Sequence, residues 1–92
     1  MSTIVRIPAP LRPLTGGKDE VDADGGTVGA IIEDLEKRHP GIKDRLLDDK
    51  GALRRYVNLF RNEEDVRAAG GLLAALKDGD RLAIVPAIAG GR

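Results

Sequence analysis

The chain of 92 residues contains no cysteine and no tryptophan, and only one tyrosine, one phenylalanine and one histidine. Without cysteine there is no disulfide, no thiolate metal site and no cysteine nucleophile. Any sulfur chemistry served by this chain must carry the sulfur somewhere other than a side-chain thiol. Two aromatics, Tyr56 and Phe60, are too few for a base-stacking platform. Charge of one sign is also missing: fifteen basic residues balance fifteen acidic ones. A nucleic-acid binder driven by phosphate contacts needs a basic excess or a basic face, so no nucleic-acid partner is expected. No apolar run approaches membrane-spanning length, and Met1-Ser2-Thr3-Ile4-Val5-Arg6-Ile7 lacks the pattern of a signal peptide. The expectation is a soluble, cytoplasmic protein with no membrane partner. The length suits one domain, burying roughly 60–70% of the surface its unfolded chain exposes.

Residues 3–7 alternate, with Val5 and Ile7 on one face, and predict a first strand. Pro8, Pro10 and Pro13 forbid regular ladder pairing after it. Thr15-Gly16-Gly17-Lys18 signals a turn, and residues 19–22, around Val21, predict an edge strand in a hairpin with the first. Thr27 is a good N-cap for the clearest helix. Val28, Ile31, Ile32 and Leu35 recur at i, i+3, i+4 and i+7, and Pro40-Gly41 stops it. Residues 42–47 predict one more helical turn. Residues 55–61 alternate again, with Val57 and Leu59 on one face and Tyr56, Asn58 and Phe60 on the other. Asn62-Glu63-Glu64-Asp65 turns the chain, and Val66 is expected to begin a short strand. Gly70-Gly71 breaks it, and residues 72–76 predict a helical turn packed by Leu73 and Leu76. After Asp78-Gly79-Asp80, residues 81–86 predict the last strand, with Leu82 and Ile84 inward and Ala83 and Val85 outward. One amphipathic helix over one mixed sheet is a two-layer α+β arrangement.

No catalytic constellation stands out. Gly25-Gly26-Thr27-Val28-Gly29 lacks the lysine and spacing of a phosphate loop and reads as the start of a helix. His39 reads as a dipole partner at a helix end. Asp48-Asp49 and Glu63-Glu64-Asp65 read as solvated turns, and no metal site is expected. Arg54-Arg55 reads as exposed charge beside a strand, with a salt bridge to an acidic partner as the alternative. The last residues are unusual. Gly90 and Gly91 have no side chain to bury and cost more backbone entropy to order than any other residue type. Such an end is either a frayed terminus or a segment that another protein threads.

Taken in order, several segments resemble the MoaD/ThiS family of ubiquitin-like sulfur carriers, and within it the carriers of cysteine biosynthesis. They are Ile7-Pro8, Leu11-Arg12-Pro13, Thr15-Gly16-Gly17, Thr27-Val28-Gly29-Ala30-Ile31-Ile32, Asp34-Leu35-Glu36 and Val57-Asn58. They continue with Asn62-Glu63-Glu64-Asp65-Val66-Arg67, Gly70-Gly71-Leu72, Asp78-Gly79-Asp80 and Pro86-Ala87-Ile88-Ala89-Gly90-Gly91. The resemblance spans nearly the whole chain. It implies a β-grasp fold of about five strands on one main helix over residues 1–86, with residues 87–92 as a flexible tail.

The same resemblance implies a protein co-substrate rather than an enzyme. No cofactor is bound. ATP is used by an adenylyltransferase/sulfurtransferase of the ubiquitin-activating type, which adenylates the carboxylate of Gly91 at the Gly90-Gly91 end and exchanges AMP for sulfur. The thiocarboxylate then serves a sulfur-accepting synthase: a PLP-dependent cysteine synthase, or a thiazole or thiosugar synthase. Arg92 departs from the pattern, because it holds the Gly91 carboxylate in a peptide bond, and its removal by a JAMM-type metalloprotease is expected first. Docking is expected on the outward face of the final strands, through Phe60, Val85, Pro86, Ile88, Ala89 and Leu11. For Phe60, core packing is the competing reading. Two other functions fit the same ending: a protein modifier conjugated through Gly91, and a small subunit of molybdopterin synthase.

Overall fold

A computed structural model of the chain describes residues 2–86. Five strands form one mixed sheet in the order β2-β1-β5-β3-β4. They are β1 (Ser2–Arg6), β2 (Glu20–Asp24), β3 (Val57–Arg61), β4 (Glu64–Asp65) and β5 (Arg81–Pro86). β1 and β5 run parallel side by side, and every other pair is antiparallel. The predicted hairpin of the first two strands is present, with Val5 opposite Val21.

Two helices, α1 (Val28–Arg38) and α2 (Ile42–Leu46), accompany the sheet. The Thr27 hydroxyl accepts from the Ala30 amide at 3.1 Å, as an N-cap should. Val28, Ile31, Ile32 and Leu35 are all fully buried. They share one core with Val5, Val57, Leu59, Leu82 and Ile84 from the inner face of the sheet. Each such side chain contributes roughly 1.5–3 kcal/mol on leaving water. Gly25 lies against the first turn of α1. A Cβ there would sit 2.8 Å from the Ala30 Cβ and 2.9 Å from the Ile31 nitrogen, so only glycine lets the chain turn this closely into the helix. The carboxylate of Glu36 caps α2 from outside, accepting from the amides of Gly41 at 3.2 Å and Lys43 at 2.9 Å. Those bonds favour its charged form and hold its pKa below the ordinary value.

The proline-rich stretch stays out of the ladder, as expected, and forms a 3-10 helix, Ala9–Thr15. Its prolines supply the fixed φ, and Gly16 closes it in a left-handed conformation. Three other expectations are corrected. The fourth strand is Glu64–Asp65, and Val66 begins a 3-10 turn, Val66–Ala69, capped by Asp65. The third strand begins at Val57, because residues 54–57 make a turn closed by the Val57 amide donating to the Arg54 carbonyl. In the stretch before β5, Leu76 is buried as expected, but Leu73 is 83% exposed. Ala74 takes the inward position and Leu72 packs at the edge of the core.

Candidate functional site

β5 sits between β1 and β3 and ends at Pro86, so residues 87–92 continue from an interior strand of the sheet. The register places Phe60 opposite Ala83, Asn58 opposite Val85 and Val57 opposite Pro86. On the other flank Ile4 lies beside Arg81 and Arg6 beside Ala83. Strand residues alternate between faces. With Leu82 and Ile84 in the core, Ala83 and Val85 point away from the helices, together with Ile4, Phe60 and Asn58.

This outward face carries a shallow concavity of about 350 Å³ whose floor includes Ile4, Phe60 and Ala83, with Arg6, Arg81 and Glu63 among its lining. Phe60 is half-buried here and is not part of the closed core, which settles the two readings of alternation in favour of the outer face. Val85 is 44% exposed and Pro86 half-buried. Leu11 is the exception among the expected docking residues. It is 7% exposed and sits in the core, because the 3-10 helix turns it inward beside Thr15. Ile88, Ala89, Gly90, Gly91 and Arg92 lie outside the described residues.

The start of β5 is pinned by polar bonds that alternation does not reveal. Asn62 and Glu63 form a two-residue hairpin turn between β3 and β4, with φ of 48° and 76°. Asparagine tolerates that region better than most residues, and primed turns of this kind match the twist of the strands. The Asn62 side chain then clamps β5. Its Oδ1 accepts from the Arg81 amide at 2.9 Å, and its Nδ2 donates to Asp80 Oδ1 at 2.9 Å. Asp80 Oδ2 also accepts from the Lys77 amide at 2.8 Å. Those two bonds, the Lys77 amide first, hold the Asp80 carboxyl below the usual range. The sequence signal for this clamp was an asparagine at a hairpin turn facing an Asp-Gly-Asp turn.

No group of three or more potential metal-ligating His, Asp or Glu side chains occurs among the described residues. Asp48 spends its Oδ1 on the amides of Lys50 and Ala52, closing its own loop. His39 ends α1, its amide donating to the Leu35 carbonyl. The described surface is a partly apolar sheet face at whose edge β5 ends with Pro86. No helix among the described residues is long and apolar enough to cross a membrane.

Known proteins share this arrangement. The sulfur carrier protein CysO of Mycobacterium tuberculosis is 52% identical across 99% of this chain and 100% of its own length. In the crystal structure of the Amycolatopsis orientalis BexX/CysO complex, the matching chain superposes with a TM-score of 0.91 at 53% identity, covering 97% of this chain and 99% of that one. Small archaeal modifier protein 3 of Haloferax volcanii is 35% identical across 99% of this chain and all of its own length. These neighbours are ubiquitin-like β-grasp proteins, and the mixed five-strand sheet with its helix is that fold. The ThiS family pattern matches residues 5–91, and the chain belongs to the ThiS family.

Proposed function

We propose that this chain is a sulfur carrier whose Gly91 carboxylate is adenylated and then thiocarboxylated. Full-length identity of 52% to a sulfur carrier protein carries the reading. The geometry supports it, because β5 ends at Pro86 beside a partly apolar, outward face. A carboxylate is a poor electrophile. An ATP-dependent adenylyltransferase of the ubiquitin-activating type forms the acyl-adenylate and releases pyrophosphate. Sulfide delivered by that system attacks the carbonyl carbon, AMP leaves with the bonding electrons, and the thiocarboxylate remains. Gly90 and Gly91 suit a narrow channel because neither has a β-carbon to clash. Arg92 must first be removed by hydrolysis of the Gly91–Arg92 peptide bond, the task of a JAMM-type metalloprotease.

The charged tail then acts as a tethered nucleophile in a sulfur-accepting synthase, where docking raises its local concentration. Likeness to the CysO chain of the BexX/CysO complex supports docking on a protein of the BexX kind. A cysteine synthase and a thiazole or thiosugar synthase are the acceptor classes. Mass spectrometry of the chain recovered from cells tests the reading. A mass gain of one sulfur-for-oxygen exchange at Gly91 is the expected outcome, and its absence under sulfur demand refutes the carrier. The 35% identity to a small archaeal modifier protein favours one second reading, conjugation through Gly91 to lysines of target proteins. Isopeptide-linked species of higher mass would mark that case.

A further inference from the structure

The turn at residues 54–57 is locked from several sides. The Val57 amide donates to the Arg54 carbonyl at 3.0 Å. Arg67 reaches back from the 3-10 turn after β4. Its Nη2 donates to the carbonyls of Arg54 at 2.8 Å and Val57 at 2.9 Å, and its Nη1 to Asn58 Oδ1 at 2.9 Å. Arg54 Nε donates to the Asp44 carbonyl at 3.0 Å. The two residues at the tip take no part in this network. Tyr56, the only tyrosine, is 54% exposed. Arg55 is exposed and makes no ion pair or side-chain hydrogen bond among the described residues. Arg12, Arg38, Arg54, Arg61 and Arg67, by contrast, spend their guanidinium groups on oxygens of this chain.

The position of this tip is the second observation. Val57 is the register partner of Pro86, the last residue of β5. The tip therefore stands just past the end of the ladder, beside the point from which residues 87–92 depart. Val85 lies on the outward face of the same region, opposite the Asn58 that Arg67 grips. The far edge of the sheet carries Glu20, Asp22 and Asp24 on the exposed positions of β2, with Glu20 paired to Arg81 at 3.6 Å and Asp24 to Arg38 at 3.2 Å.

We infer that the 54–57 turn is a docking element for the protein that receives the tail, and that this protein presents carboxylates beside an apolar contact at the mouth of its channel. The inference rests on the carrier reading and specifies the chemistry of its partner. Arginine and tyrosine are enriched among the residues that anchor interfaces, and a tip fixed in advance loses little entropy on docking. The unengaged guanidinium of Arg55 favours encounter with an acidic surface at the tail end. Asp48, which lines the concavity of about 250 Å³ beside Tyr56, is already engaged with its own loop.

The test is binding of the full chain to purified BexX of Amycolatopsis orientalis at low and high salt. The double variant R55E/Y56A is expected to bind at least tenfold more weakly and to lose most of the salt sensitivity, with an unchanged thermal midpoint. R45E, on an exposed residue of α2, controls for net charge and is expected to stay within twofold of the parent. R55E/Y56A binding within twofold of the parent, with its salt sensitivity intact, overturns the inference. Should F60A weaken binding while R55E/Y56A does not, the docking face survives and the turn loses its role.

Discussion

Phe60→Ala, set beside Leu59→Ala, separates the two faces of one strand. Leu59 is fully buried and Phe60 half-buried on the open side. An enclosed phenylalanine buries roughly 150–250 Å². If about half of that is covered here, area bookkeeping at about 25 cal/mol/Å² gives an upper bound of about 2–3 kcal/mol. The alanine keeps part of it and solvent refills the space, so no cavity term adds, and a loss of about 1–2 kcal/mol is expected. Leu59→Ala leaves a closed cavity and costs about 3–5 kcal/mol. In a domain of this size each kcal/mol moves the thermal midpoint by roughly 4–8 °C, so the two melts are well separated. The functional readout runs the other way. In chains ending at Gly91, Phe60→Ala slows thiocarboxylate formation by the activating enzyme supplied with ATP and sulfide, followed by mass spectrometry, at a temperature where both variants are folded. Leu59→Ala leaves it near the parent rate. Equal destabilisation by the two substitutions, or a Phe60→Ala chain loaded at the parent rate, refutes the assignment of this face to docking.

Gly25→Ala is expected to cost about 1–3 kcal/mol by forcing a methyl group into the first turn of α1, and denaturant titration checks it. The Glu36 carboxyl has its pKa lowered by the amides of Lys43 and Gly41, so its contribution is fully present above the ordinary value of 4.5. That contribution is lost as pH falls through the depressed folded-state value, because only there does the folded chain take up the proton. Urea midpoints measured from neutral to acid pH should fall less steeply in Glu36→Gln than in the parent. Gly90→Val should abolish or greatly slow thiocarboxylation while leaving the thermal midpoint in place, as calorimetry and mass spectrometry together would reveal.

Periodicity carried most of the fold. The 28–35 stripe, the Thr27 cap and the alternation of residues 3–7, 55–61 and 81–86 were enough for the helix and the sheet, although the third strand starts two residues later than its alternation. What alternation could not reach was decided by contacts distant in sequence. Leu11 resembles a surface residue among prolines until the 3-10 helix turns it under the sheet. Leu72 and Leu73 are chemically alike, and only the left-handed φ of Gly70 and Gly71 decides which is turned out. The Arg67 network was invisible for the same reason: two of its three acceptors are main-chain carbonyls that any residue provides. The outward placement of Phe60 and Val85 was legible, but the clamp on β5 and the locked turn depend on polar bonds across 9 to 19 residues.

A rigid exit also limits where a partner can work. β5 is hydrogen-bonded on both sides, and the Asn62 clamp holds its start. From the Cα of Pro86, five residues at 3.3–3.6 Å each place Gly91 no more than about 18 Å away. Under the proposed function, an activating enzyme and a sulfur acceptor would each bring a reactive centre within that radius, and each would therefore cover the ground around Pro86. Val85, Phe60 and the 54–57 turn are that ground. Two such partners cannot occupy it together, so loading and delivery are separate encounters with a dissociation between them. The carrier needs a face strong enough to orient the tail and weak enough to release it. A half-buried phenylalanine beside exposed charge meets both demands better than a large apolar surface would.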